Sequence, residues 1–66
     1  MEILVNGASH IVPVATTMTQ LLNILTLQDK RLAVEINQEL LVRSQFDTFV
    51  LQPHDTVEIV HAIGGG

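Results

Sequence analysis

Three glycines, Gly64, Gly65 and Gly66, stand directly after the strand-like segment Thr56 to Ile63, and their type and position point to chemistry. Glycine has no Cβ, so such a segment can thread a channel too narrow for other residues and carry the α-carboxylate of Gly66 deep into a second protein. A free carboxylate is a poor electrophile. For it to react, a partner must convert it with ATP to an acyl adenylate, and a sulfur donor can then displace AMP to leave a thiocarboxylate. Taken alone, the glycines read equally well as an inert spacer.

The other polar residues form no catalytic constellation. His10, His54 and His61 are scattered, without the i, i+4 spacing that puts two imidazoles on one helix face, so no metal site is expected. His54, beside Asp55, reads as a solvated turn residue. His61 is close enough to the glycines to be a candidate partner contact, as are Val60 and Ala62 on the strand face opposite Val57 and Ile59. Glu2, Asp29, Glu35, Glu39, Asp47, Asp55 and Glu58 each fall where a solvent face or a turn is expected. Ser9 and Ser44 lack the His and Asp companions of a triad. The glycines are not a phosphate-cradling loop, because no helix follows them.

Composition narrows the function further. There is no cysteine, hence no disulfide and no thiol nucleophile, and any sulfur chemistry must occur away from a side-chain thiol. The net charge is −4 with only Lys30, Arg31 and Arg43 basic, which gives no footprint for nucleic acid and favours basic surfaces on partner proteins. A chain of 66 residues builds one small core and spares little for an enzymatic cleft, so a carrier or binding role is expected rather than an enzyme. Apolar residues are spread out rather than gathered into the roughly 18 needed to cross a bilayer. Met1 to Asn6 has no basic leader, and a cytoplasmic location is expected.

The elements that must position these groups follow from periodicity. Asn6-Gly7 supplies the positive φ values of a tight hairpin between Met1–Asn6 and His10–Val14, with Pro13 marking a strand end or an open edge. Thr17 precedes Gln20 as in a capping box, and Met18, Leu21, Leu22 and Leu25 share one helix face, predicting a helix of about three turns that ends near Leu27. From Leu32 the period is two, with Leu32, Val34 and Ile36 on one face, before Asn37-Gln38 turns the chain into Leu40–Val42. Ser44 to Thr48 reads as a connector over Phe46 and Phe49, and Pro53-His54-Asp55 as a turn. Thr56 to Ile63 is the last strand, with Val57 and Ile59 inward. One helix and one sheet, each hiding a single face, make a two-layer α+β domain over residues 1–63, and 64–66 form a flexible glycine tail.

Four segments, Ile3 to Gly7, Thr17 to Leu22, Ala33 to Asn37 and Asp55 to Gly66, closely resemble the thiamine-pathway sulfur carriers of the ThiS family. The likeness spans essentially the whole chain, and its most specific parts are the length, the glycines at the end and the run Val57 to Gly66. The hairpin and helix are shared with many β-grasp domains. The resemblance implies a ubiquitin-like β-grasp fold, a mixed sheet packed on one amphipathic helix. It also implies that Gly65 and Gly66 are required for activation, and that the terminal carboxylate is adenylated and thiolated for thiazole formation in thiamine biosynthesis. The implied partners are an E1-like ATP-dependent adenylating enzyme, a sulfur donor such as a cysteine desulfurase, and a thiazole synthase. No cofactor of its own is implied.

Two departures from the family pattern stand out. Asn37-Gln38 replaces the Asn-Gly turn of many relatives, which strains Gln38 if the turn needs positive φ there. Arg43-Ser44-Gln45-Phe46 fits the family's basic and polar segment only loosely. Three other readings stay open at this point: the small subunit of molybdopterin synthase, which is usually longer, a ubiquitin-like modifier joined through Gly66 to lysines, and an interaction domain with an inert tail.

Overall fold

The computed structural model describes residues 1–28 and 30–61. The expectations for Ala62, Ile63 and the glycines Gly64, Gly65 and Gly66 lie outside these residues. The elements are β1 (Glu2–Val5), β2 (Ala8–Ile11), α1 (Met18–Ile24), β3 (Leu32–Ile36), β4 (Glu39–Leu41), a 3₁₀ turn (Arg43–Gln45) and β5 (Thr56–His61). They build a five-stranded sheet in the order β2-β1-β5-β3-β4, in which β5 runs parallel to β1 and antiparallel to β3. The last strand in sequence is thus the middle strand in space.

Alternation along the strands places Ile3, Val5, Val34, Ile36, Val57 and Ile59 on the inner face, where they form one core with Met18, Leu21 and Leu22 of α1. Phe46 is buried and Phe49 packs half-buried against that core, as the sequence predicts. A seven-residue helix is too short to persist by its own propensity. Its three buried side chains, worth about 1.5–3 kcal/mol each in transfer free energy, hold it to the sheet.

The helix start agrees with the sequence. The Thr17 hydroxyl accepts from the Gln20 N–H at 3.2 Å, and the Gln20 Oε1 accepts from the Thr17 N–H at 2.9 Å. The Met18 and Thr19 amides, which have no partner within the helix, donate to the carbonyls of Phe49 and Phe46 at 3.0 and 3.1 Å.

The helix end corrects the sequence reading, because α1 stops at Ile24 and not near Leu27. Thr26 takes φ +61, its N–H donates to Asn23 and the Leu27 N–H donates to Leu22. This is a Schellman closure with a β-branched residue at the left-handed position where glycine is usual. The reversal turns Leu27 back so that Leu25 and Leu27 both pack against the core.

Two strands also begin earlier than expected, for one reason. Both hairpin turns have two residues, Asn6-Gly7 (φ +50, +82) and Asn37-Gln38 (φ +49, +72), so Val5 pairs with Ala8 and Ile36 with Glu39. Strand β2 therefore spans Ala8–Ile11 rather than His10–Val14, and β4 is Glu39–Leu41. The Val12 N–H still donates to the Met1 carbonyl, after which Pro13 has no N–H to offer.

Asp55 lies in the turn where the sequence places it, but is buried there rather than solvated. It is 9% exposed and closes the Pro53-His54 turn, its Oδ2 accepting from the Gln52 N–H at 2.8 Å and its Oδ1 from the Asn37 Nδ2 at 3.0 Å. His54 is exposed as expected, but with φ +69 it fills the left-handed position of that turn.

Candidate functional site

The candidate chemistry lies beyond β5, so the site begins with what fixes that strand. At its start, the Asn37 N–H donates to the Thr56 carbonyl at 2.7 Å, and the Asn37 Oδ1 accepts from the Thr56 N–H at 2.9 Å. Along its β1 side, Leu4 and Asn6 donate their N–H groups to the carbonyls of Asp55 and Val57, both at 2.9 Å. Near its end, the Asn6 carboxamide accepts from the Ile59 N–H at 2.8 Å and donates to the Ile59 carbonyl at 3.1 Å. The asparagines of the two hairpin turns therefore bracket the last strand.

Beyond Ile59 the described chain continues through Val60, paired with Ala33, and His61, paired with Leu32. Val60 is 60% exposed and His61 is exposed, which puts both of these candidate contacts on accessible surface. Val60 belongs to the outer face of the sheet, opposite Val57 and Ile59. There it joins Ala33, Glu35, Leu40 and Glu58 around an open concavity of about 230 Å³. Glu35 and Glu58 sit directly across from each other in the β3–β5 register. The sequence shows each to be exposed, but only the long-range pairing shows that they meet. Two of the three basic residues, Lys30 and Arg43, line a different concavity beside Thr19 and Leu22 of the helix.

The remaining polar residues are not gathered. His10 is half-buried on β2, His54 is in the turn before β5, and among the described residues no three His, Asp or Glu side chains are placed to hold a metal ion. Ser9 donates to the Glu2 carboxylate on the exposed β2 edge. No helix among the described residues is long and apolar enough to cross a membrane.

A mixed sheet folded around one short helix, with its last strand in the middle and parallel to the first, defines a ubiquitin-like β-grasp domain. The ThiS family model matches residues 2–66, and the chain belongs to the ThiS family, the sulfur carriers of thiamine biosynthesis. The crystal structure of the thiamine biosynthesis protein ThiS from Geobacter metallireducens is similar over 100% of both chains, with 35% identity and a TM-score of 0.87. A solution structure of a thiamine biosynthesis protein from the same organism covers 100% of this chain and 88% of its own, at 33% identity and a TM-score of 0.77.

Among curated relatives, a thiazole synthase of Magnetococcus marinus is 39% identical over 66 residues, and the chain spans only 20% of that protein's length. An uncharacterized protein, ycf40, of Porphyra purpurea is 33% identical over 66 residues, which make up 93% of it.

Proposed function

We propose that this carrier works through the α-carboxylate of Gly66. The carboxylate attacks the α-phosphorus of ATP in an adenylating enzyme and expels pyrophosphate to form the acyl adenylate. A persulfide sulfur supplied by a cysteine desulfurase then attacks the acyl carbon, AMP leaves, and reduction of the sulfur–sulfur bond by a thiol releases the thiocarboxylate. A thiazole synthase takes sulfur from it for thiazole formation, and the carrier itself catalyses nothing. Gly64 and Gly65 are the residues that fit the narrow passage to each active centre.

The observation that carries this reading is the family match through residue 66, which includes the glycines. The relative named thiazole synthase adds support for the last partner, because a stretch similar to this whole chain is part of the same polypeptide. The outer face around Val60, Leu40, Glu35 and Glu58 is the docking surface in this reading, and its carboxylates favour a basic partner surface.

The test is intact and fragment mass spectrometry of the untagged protein after incubation with the adenylating enzyme, ATP and a sulfur source, with a thiol alkylator added. The expected product is a single alkyl adduct on Gly66 that requires ATP, since the chain has no cysteine to compete. No adduct in the presence of a demonstrably active enzyme and sulfur source would overturn the proposal.

A further inference from the structure

In a β-strand the N–H and C=O of one residue point to the same side, and successive residues alternate sides. In β5 the groups of Thr56 face β3, where Asn37 takes both, and the Val57 carbonyl faces β1, where it accepts the Asn6 N–H. The groups of Ile59 face β1 as well. By that point β1 no longer exists, because the chain turns away at Asn6 with φ +50 and enters β2 through Gly7. A continuing parallel strand would offer one C=O to the Ile59 N–H and one N–H to the Ile59 C=O. The Asn6 carboxamide offers one of each, at 2.8 and 3.1 Å. It stands in for the missing strand residue, and it makes Ile59 the last residue of β5 seen to be held from both sides, since Val60 and His61 pair with β3 alone.

We infer that Asn6 is a positioning residue: its side chain sets where β5 leaves the β1 side of the sheet, and so the direction in which the segment after His61 is presented to a partner's active centre. This rests on the carrier reading above. Asn6 acts through Ile59, whose N–H and C=O it holds on the β1 side while Val34 pairs with Ile59 from β3.

Two roles of Asn6 must be separated, because its left-handed backbone also makes the hairpin turn. Asn6→Gly separates them: glycine adopts φ +50 without strain, and Gly-Gly suits the same turn, while the carboxamide is lost. Amide hydrogen exchange read residue by residue should show the Ile59 N–H exchanging about tenfold faster in N6G, the yield of one lost hydrogen bond, with Val5 and Val12 unchanged. In steady-state adenylation with varied carrier concentration, kcat should fall about fivefold or more while KM stays within about twofold, because the docking surface is untouched but the end is misaimed. A merely structural role would lower the melting temperature and leave the kinetics of the folded fraction alone.

Unchanged Ile59 exchange in N6G overturns the inference, as does lost protection with wild-type kcat. If N6G melts below the assay temperature, Asn6→Asp provides the second variant: it keeps the acceptor for the Ile59 N–H, loses the donor to the carbonyl, and should show partial Ile59 protection with a smaller kcat defect, whereas wild-type kcat with reduced Ile59 protection overturns the inference. A wild-type chain that is itself not adenylated would overturn the carrier reading and, with it, the presentation role, while the exchange measurement still decides whether the clamp exists.

Discussion

Glu35 and Glu58 face each other across the central strand pair, in direct register on the outer side of the sheet. Like charges directly opposite on neighbouring strands destabilise a sheet. Arg31 is four residues from Glu35, about 13 Å along an extended strand, too far to neutralise the pair effectively in water. Replacing Glu58 by Lys converts repulsion into attraction and should stabilise the isolated domain by about 0.5 kcal/mol at low ionic strength, less at high salt. Urea denaturation at two salt concentrations reads this directly. A destabilised E58K would show that the two carboxylates do not repel as the register implies.

The left-handed backbones of Thr26 and Gln38 give a second prediction. Both residues carry a Cβ at φ values of +61 and +72, where only glycine is free of steric cost. Thr26→Gly and Gln38→Gly should each raise stability by about 0.5–1 kcal/mol, since relief of strain outweighs the added freedom of the unfolded chain. They lie in different turns and their effects should add. Thermal melting of both single variants and the double variant checks this, and a lower melting temperature for either would refute the strain argument at that site.

Leu21 is fully buried at the centre of the helix face that meets the sheet. Truncation to Ala costs about 2–5 kcal/mol through lost transfer energy and the cavity left behind. A domain of this size has about 3–10 kcal/mol in total, so L21A should lose a large fraction of its stability and melt well below the wild type. Circular dichroism against temperature decides it, and a melting temperature within a few degrees of wild type would mean that the core collapses around the gap.

What could be read from the chain divides along the range of the interactions. The capping box at Thr17, the alternation from Leu32 and the Asn6-Gly7 hairpin are local, and sequence spacing alone placed them. The helix end was misplaced because Leu25 and Leu27 continue an apolar pattern, while the left-handed Thr26 is imposed by the packing of those leucines and not by any propensity of threonine. The Glu35–Glu58 pair, the burial of Asp55 against Asn37 and the carboxamide of Asn6 at Ile59 each join residues far apart in sequence. No spacing rule reports such contacts before the strand order is known. Of the candidate site, the sequence expects Val60 and His61 on accessible surface and the structure places them there, while the glycines lie outside the described residues.

Val60 separates docking from aiming. It is 60% exposed, contributes to the outer concavity, and has its backbone paired with β3, so a side-chain change there leaves the core and the Asn6 clamp intact. Val60→Asp should alter stability by no more than about 1 kcal/mol, reflecting lost β propensity and a third carboxylate near Glu58. If this face docks on a partner, a buried charge in place of an aliphatic contact weakens the encounter complex, raising KM for adenylation by about tenfold or more with kcat largely preserved. The pattern is the reverse of that expected for N6G. Steady-state adenylation kinetics of V60D and N6G side by side therefore test two different steps, recognition by the sheet face and presentation of the end. An unchanged KM for V60D would move the docking surface elsewhere on the domain.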